Sequence, residues 1–127
     1  MKNYIKQTLI LISLTALSAI HISFTHSPKP IKKLELSFEV EGTCGMCKER
    51  IEKALDKKGV YKAIYDVKSK MLKVSYDPRK LEEIQIHNMV AMVGHDTPLV
   101  RASEVVYQSL PDCCRYREGG ECEHDDF

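Results

Sequence analysis

Residues 34–55, LELSFEVEGTCGMCKERIEKAL, contain a strand pattern that changes to a helix pattern at a pair of cysteines. Alternate residues from Leu34 to Val40 are apolar and those between them are mostly acidic, which predicts a half-buried strand. The helix pattern that follows has one apolar stripe, formed by Cys47, Ile51, Ala54 and Leu55. We therefore expect Cys44 and Cys47 on the loop that enters a helix.

The chain beyond this stretch has patterns typical of a hairpin, a helix and a last short strand. Residues 60–67 and 71–76 alternate and are joined by a short connection, which predicts two antiparallel strands. A second helix is predicted from about residue 81 to residue 93. Residues 98–102 are predicted as an edge strand, and Ser103 as the N-cap of a final short helix.

This order of elements predicts one α+β fold. Short connections and right-handed crossovers favour a ferredoxin-like βαββαβ sandwich, in which an antiparallel sheet carries both helices on one face. A short C-terminal helix and a Cys-rich tail follow it. The length from residue 34 onward permits one modest core, and we expect a monomer.

The N-terminal residues have the pattern of an export signal. Lys2 and Lys6 precede an uncharged apolar run, so residues 1–26 are predicted to be a signal peptide or an N-terminal membrane anchor. If it is retained, the stretch 7–24 is just long enough to tether the chain to a membrane. Both alternatives place the remainder at the periplasmic or extracytoplasmic face of the membrane. Residues 27–33, which contain two prolines and several lysines, are predicted to be a linker.

Composition excludes several classes of function. The formal net charge is only +1 and the basic residues form no stripe, so nucleic acid is not expected as a partner. The sequence has no Ser-His-Asp arrangement, no phosphate-binding glycine loop and no acid pair. We therefore expect the chain not to be an enzyme, unless its cysteines exchange disulfides.

Five features together resemble the heavy-metal-associated domain family, which includes copper chaperones, periplasmic mercury-binding proteins and the N-terminal domains of metal-pumping P-type ATPases. They are the Cys-x-x-Cys loop after the first strand, the helix Cys47–Leu55, Gly59-Val60, Tyr76-Asp77-Pro78 and Gly94-His95-Asp96. The resemblance implies a metal-binding domain over residues 34–102, with residues 103–127 as a helix and Cys/acid-rich tail outside it. The sequence departs from the family at one point. The family usually has a methionine shortly before the first cysteine, whereas here Gly42-Thr43 precede Cys44 and Met46 lies between the cysteines.

Cys44 and Cys47 are the expected metal ligands. Unpaired N–H groups at a helix start favour thiolate over thiol, and thiolates suit the soft or borderline ions Cu(I), Hg(II) and Zn(II), of which Cu(I) is the first choice. A two-coordinate ion remains open to an incoming ligand, so the expected partner is a metal-transporting membrane protein or another metal carrier. The alternative is a thiol–disulfide oxidoreductase that uses the same pair. A third is a tethered module whose two cysteines are permanently bonded to each other.

Other residues are candidate auxiliary ligands. The resemblance implies that the loop of His95 lies at the same end of the sheet as the cysteines, where the imidazole could bind the ion or remain a surface side chain. Four alternatives are open for the tail. Cys113 or Cys114 could form a disulfide with Cys122, both could add sulfurs to the metal, or Cys122 and His124 could capture metal loosely. Otherwise the tail is plain disordered chain.

Overall fold

An antiparallel sheet of three strands forms one layer of the fold, with strand order β1-β3-β2. The structure is a computed structural model that describes residue 30 and residues 32–119. The strands are β1 (Leu34–Glu39), β2 (Val60–Asp66) and β3 (Met71–Tyr76). Opposite Leu72 of the central strand β3 lie Phe38 of β1 and Tyr65 of β2. These inward-facing residues are buried, as the alternation predicted.

Three α-helices and two 3-10 turns complete the described chain. The helices are α1 (Gly45–Ala54), α2 (Glu83–Ala91) and α3 (Glu104–Gln108), and the turns are Asp112–Cys114 and Tyr116–Glu118. The predicted short helix is α3, and the Ser103 side chain accepts a hydrogen bond from its Val106 N–H. Within the described residues, no helix has the length and apolarity needed to cross a membrane.

Both long helices pack into a single core with the sheet. Ile51 of α1 and Ile86 and Val90 of α2 are fully buried in the same cluster as Leu72 and Val74 of β3. Burying one such side chain contributes about 1.5–3 kcal/mol. The ferredoxin-like arrangement of an antiparallel sheet covered by helices is thus confirmed. Because both β1 and α1 pack into this core, the junction between them is held in place.

The predicted fourth strand over residues 98–102 does not form. Instead, the Thr97 N–H donates to the Val100 carbonyl at 2.9 Å, and the Ala102 N–H donates to the Asp96 carboxylate at 2.8 Å. These two bonds turn the chain around Asp96 rather than extending it along β1. A backbone bond from the Glu41 N–H to the Asp96 carbonyl, at 2.9 Å, joins this loop to the segment that follows β1.

The second helix is shorter than predicted. It begins at Glu83 because the Gln85 side chain accepts a hydrogen bond from the Glu82 N–H at 2.8 Å. Gly94 follows its last turn with φ +98°, and a Cβ at this position would lie 2.9 Å from the Leu110 side chain. Glycine at position 94 therefore suits both the positive φ and the close approach of the C-terminal segment, residues 103–119.

The predictions for the N-terminal signal or anchor (residues 1–26), its tethering stretch 7–24 and the tail residues Cys122 and His124 fall outside the described residues.

Candidate metal centre

The loop between β1 and α1 carries the first two sulfurs. Cys44 immediately precedes the first residue of α1 and has an extended backbone, and its carbonyl accepts a hydrogen bond from the Lys48 N–H at 3.1 Å. Cys47 lies one turn further along, on the buried side of the helix. The helix geometry therefore directs both side chains toward the same place, as the spacing predicted.

A third sulfur joins this pair. The Cys44 Sγ lies 3.4 Å from the Cys47 Sγ and 3.8 Å from the Cys114 Sγ. All three sulfurs lie within 4.8 Å of one another, and all three residues are at most 1% exposed. Thiolates are the ligands that soft metal ions prefer. Among the described residues, these three form the one group of three or more potential ligands that could hold a metal ion together.

Arg50 provides a positive charge beside the sulfurs. Its Nη1 donates to the Cys114 Sγ at 3.5 Å. Arg50 belongs to α1 and Cys114 to the first 3-10 turn, so this contact joins the helix that carries the cysteine pair to the C-terminal segment. A guanidinium at this position stabilises negative charge on the sulfur.

Burial works against ionised sulfur in the metal-free protein. It raises the pKa of the Cys47 thiol above its ordinary value, although a backbone hydrogen bond at Thr43 acts in the opposite direction. Burial likewise raises the pKa of Cys114, and Arg50 offsets only part of that change. The expectation that the helix start would keep this pair ionised is therefore wrong for Cys47. Metal binding has to displace protons from these thiols.

The Tyr65 side chain contacts the backbone of the loop between β1 and α1. Its hydroxyl lies 3.0 Å from the Val40 carbonyl and 3.1 Å from the Gly42 carbonyl, so the two acceptors share its one proton, and the side chain is fully buried. A Cβ at Gly42 would lie 3.0 Å from the Tyr65 hydroxyl and 3.2 Å from the Cys47 Cβ, so the loop passes close to both. Nothing in the sequence analysis singled out Tyr65. Its inward position in the alternation of β2 could have indicated this role, because a buried tyrosine hydroxyl needs a hydrogen-bond partner.

We expect Tyr65→Phe to lower the free energy of unfolding of the metal-free, reduced protein by about 1–3 kcal/mol, since the Val40 and Gly42 carbonyls lose the one buried donor that they share. Urea denaturation measures this change. Tyr61→Phe is the matched control, because Tyr61 is 40% exposed and its hydroxyl makes only a long contact, 3.4 Å, with the Asp77 carboxylate, so its loss should cost less than about 0.5 kcal/mol. Equal effects of the two substitutions would contradict a supporting role for Tyr65.

Met46 does not replace the methionine that the family usually has before the first cysteine. Its side chain is 47% exposed. Tyr65, from a different strand, contacts the carbonyl groups of the loop instead.

His95 is buried beside the loop, outside the sulfur group. Its Nδ1 lies 2.7 Å from the Glu41 carbonyl, and because a carbonyl can only accept, Nδ1 carries the proton. The pKa of His95 is lowered to about 4, chiefly by burial and to a smaller extent by Arg50, while the Glu41 carbonyl and Asp96 act in the opposite direction. At neutral pH the side chain is therefore uncharged. Its buried Nε2 has no hydrogen-bond partner among the described residues.

The C-terminal segment is fastened to the loop that contains His95. Arg117 makes a paired contact with the Asp96 carboxylate, at 2.9 Å and 2.6 Å. The Tyr116 hydroxyl donates to the Gly94 carbonyl at 3.0 Å and accepts from the Asp96 N–H at 2.9 Å. These contacts hold the chain that follows Cys114 against the domain.

The structure brings together some of the predicted ligands and separates others. Cys114 joins Cys44 and Cys47. The Cys113 Sγ lies 4.0 Å from the Cys114 Sγ but outside the group of three, and the Cys113 carbonyl accepts a hydrogen bond from the Thr43 hydroxyl at 3.1 Å.

One family profile matches the central part of the chain. Residues 37–96 match the sequence profile of the heavy-metal-associated domain. No curated protein matches the chain at a significant level.

Several solved structures resemble the domain. The N-terminal domain of a potential copper-translocating P-type ATPase from Bacillus subtilis, solved in the Cu(I)-loaded state, is 29% identical, with a TM-score of 0.50; the match covers 52% of this chain and 85% of that one. CopZ metallochaperone is 30% identical, with a TM-score of 0.49 and coverage of 50% and 98%. Oxidised MerP from Ralstonia metallidurans CH34 is 24% identical, with a TM-score of 0.50 and coverage of 52% and 94%.

Proposed function

Because the chain belongs to the heavy-metal-associated domain family through residues 37–96, we propose that it binds a soft metal ion through Cys44 and Cys47 and passes the ion to another protein. The observation that carries this proposal is the pair of sulfurs 3.4 Å apart at the start of α1. Two sulfurs so close can bind one ion without a large rearrangement of the loop.

Transfer proceeds by exchange of sulfur ligands. A thiolate of the acceptor forms a bond to the ion, and the bond from the ion to a cysteine of this chain then breaks. The released sulfur takes up a proton, which balances the proton that the acceptor thiol lost. Burial of Cys47, which raises its pKa, makes reprotonation favourable once the ion has left.

Cu(I) is the proposed cargo, with Hg(II) or Zn(II) as the alternatives that the same ligands allow. The support comes from the all-sulfur ligand group and from the Bacillus subtilis domain of known structure in a Cu(I)-loaded state. We propose a metal-transporting membrane protein or a second metal carrier as the partner. That same relative belongs to a potential copper-translocating ATPase, which supports this assignment. The N-terminal sequence supports a location outside the cytoplasm.

The oxidoreductase alternative is weaker on physical grounds. A cysteine that attacks disulfides at neutral pH needs a lowered pKa, whereas burial raises the pKa of Cys47.

We expect the full-length reduced chain to retain one Cu(I) per molecule in equilibrium dialysis against a weak chelator, because two thiolates outcompete weak oxygen and nitrogen ligands for this ion. Native mass spectrometry counts the bound ions. An insulin-reduction assay on the same preparation tests the alternative. Failure to retain Cu(I), Hg(II) or Zn(II) would overturn the metal proposal, and turnover in the insulin assay would favour the oxidoreductase.

A further inference from the structure

The third sulfur comes from a part of the chain that the family profile does not cover. Cys114 ends the 3-10 turn Asp112–Cys114, beyond the matched residues 37–96. The contact between Cys44 and Cys114 therefore joins the domain to its own C-terminal segment.

The spacing of the three sulfurs fits one ion at their centre. A metal about 2.3 Å from each sulfur holds three sulfurs of a planar trigonal set about 4.0 Å apart, and the two sulfurs of a linear pair about 4.6 Å apart. The Cys44 Sγ lies 3.4 Å from the Cys47 Sγ and 3.8 Å from the Cys114 Sγ, and no two of the three sulfurs are more than 4.8 Å apart. The separation of Cys44 and Cys47 is closer to the trigonal value than to the linear one.

Protein contacts hold Cys114 in place on both sides without a metal. Before it, the Thr43 hydroxyl donates to the Cys113 carbonyl, which ties the turn to the cysteine loop. After it, Arg115 donates to the Leu110 carbonyl at 3.2 Å and Arg117 pairs with Asp96. A ligand held in this way loses little conformational freedom when it binds an ion.

The charge at the site also suits a third thiolate. Two thiolates and one Cu(I) carry one net negative charge, and a third thiolate adds another. Buried charge is tolerated when it is paired, and the Arg50 guanidinium lies 3.5 Å from the sulfur that would carry this charge. A cysteine that served only as a small apolar core residue would need no such partner.

We propose that Cys114 is a third thiolate ligand, so that the chain holds its soft metal ion in a trigonal site formed by Cys44, Cys47 and Cys114. This inference rests on the proposed function and deepens it. The Cys114 thiol gives its proton to solvent as its bond to the ion forms. The third bond makes the ion harder to remove, and an acceptor has to displace Cys114 as well as the loop pair.

The test compares two neighbouring cysteines in the full-length chain. Cys114→Ser removes a proposed ligand, whereas Cys113→Ser makes the same chemical change at a sulfur outside the group of three. Each protein is loaded with one equivalent of Cu(I) under reducing conditions. X-ray absorption spectroscopy counts the sulfur neighbours of the ion, and competition with a chelator gives its affinity.

We expect three sulfur neighbours in the unaltered chain and in Cys113→Ser, and two in Cys114→Ser. Affinity should fall at least about tenfold in Cys114→Ser, because loss of a direct ligand costs no less than loss of a residue that only orients one. It should stay within about twofold in Cys113→Ser. Since Cys114 is buried, Cys114→Ala is tested beside it, and circular dichroism of each metal-free variant checks the fold.

Each remaining outcome counts against the proposal. Three sulfur neighbours in a folded Cys114→Ser, or two in the unaltered chain, would overturn the trigonal site while leaving metal binding by the loop pair intact. If the affinity for Cu(I) falls only in variants whose metal-free form is unfolded, Cys114 acts as a core residue and not as a ligand. If the unaltered chain binds no Cu(I), the proposed function itself is wrong, and the trigonal site is wrong with it.

Discussion

Replacing Cys44 and Cys47 together by alanine should lower the affinity for Cu(I) by more than about 100-fold, because even residues that merely orient ligands account for 10–100-fold. Alanine is preferable to serine, since both positions are almost fully buried and serine would bury a hydroxyl at each. Dialysis against a weak chelator, followed by native mass spectrometry, measures the retained ion.

The metal-free double variant should still fold, because the core is formed mainly by side chains of the sheet and of both helices. Met46→Ala is the matched control, since Met46 lies between the two cysteines and its side chain is largely exposed. It should leave affinity and fold unchanged. Undiminished retention in the double variant would show that the ion binds elsewhere. Unfolding of the double variant, with the unaltered protein unfolding equally when its metal is removed, would make the site structural.

Acid should destabilise the metal-free protein through His95. Its pKa is about 4 in the folded protein and 6.5 in an unfolded chain, so between these values the unfolded state binds more protons. The free energy of unfolding that His95 contributes is therefore fully present above pH 6.5. It decreases as pH falls, by about 1.4 kcal/mol per pH unit, for a total of about 3 kcal/mol near pH 4.

Comparison with His95→Asn isolates this contribution. The asparagine amide can still donate to the Glu41 carbonyl but does not titrate. Buried His87, whose pKa is also lowered by burial, is present in both proteins and cancels from the difference. We expect urea denaturation at a series of pH values to give a flatter curve for the variant between pH 6.5 and 4. Parallel curves would mean that His95 is not held neutral in the folded state.

Local pattern was sufficient to predict most of the fold. The alternation in β1, the apolar stripe of α1 and the short hairpin each depend on neighbours in sequence, and each is present in the structure. The Cys44–Cys47 pair was predictable for the same reason, because one helical turn sets its spacing.

Features that depend on distant contacts were harder to predict. The support that Tyr65 gives to Gly42 requires β2 to be in register beside β3 and under the loop. The turn at Asp96 replaced a strand because Ala102 bonds back to the carboxylate, a choice that no alternation of apolar residues reveals. Cys114 was one of several possible ligands, and only the packing of the C-terminal segment distinguishes it from Cys113.

The ion pair between Arg117 and Asp96 limits how far this protein can be truncated at its C-terminus. A fragment that stops at residue 96, where the family profile ends, keeps the carboxylate but loses its arginine, the two tyrosines at positions 107 and 116, and one of three sulfurs. Affinities measured on such a fragment would describe an altered molecule, so shortened versions should extend at least to residue 119.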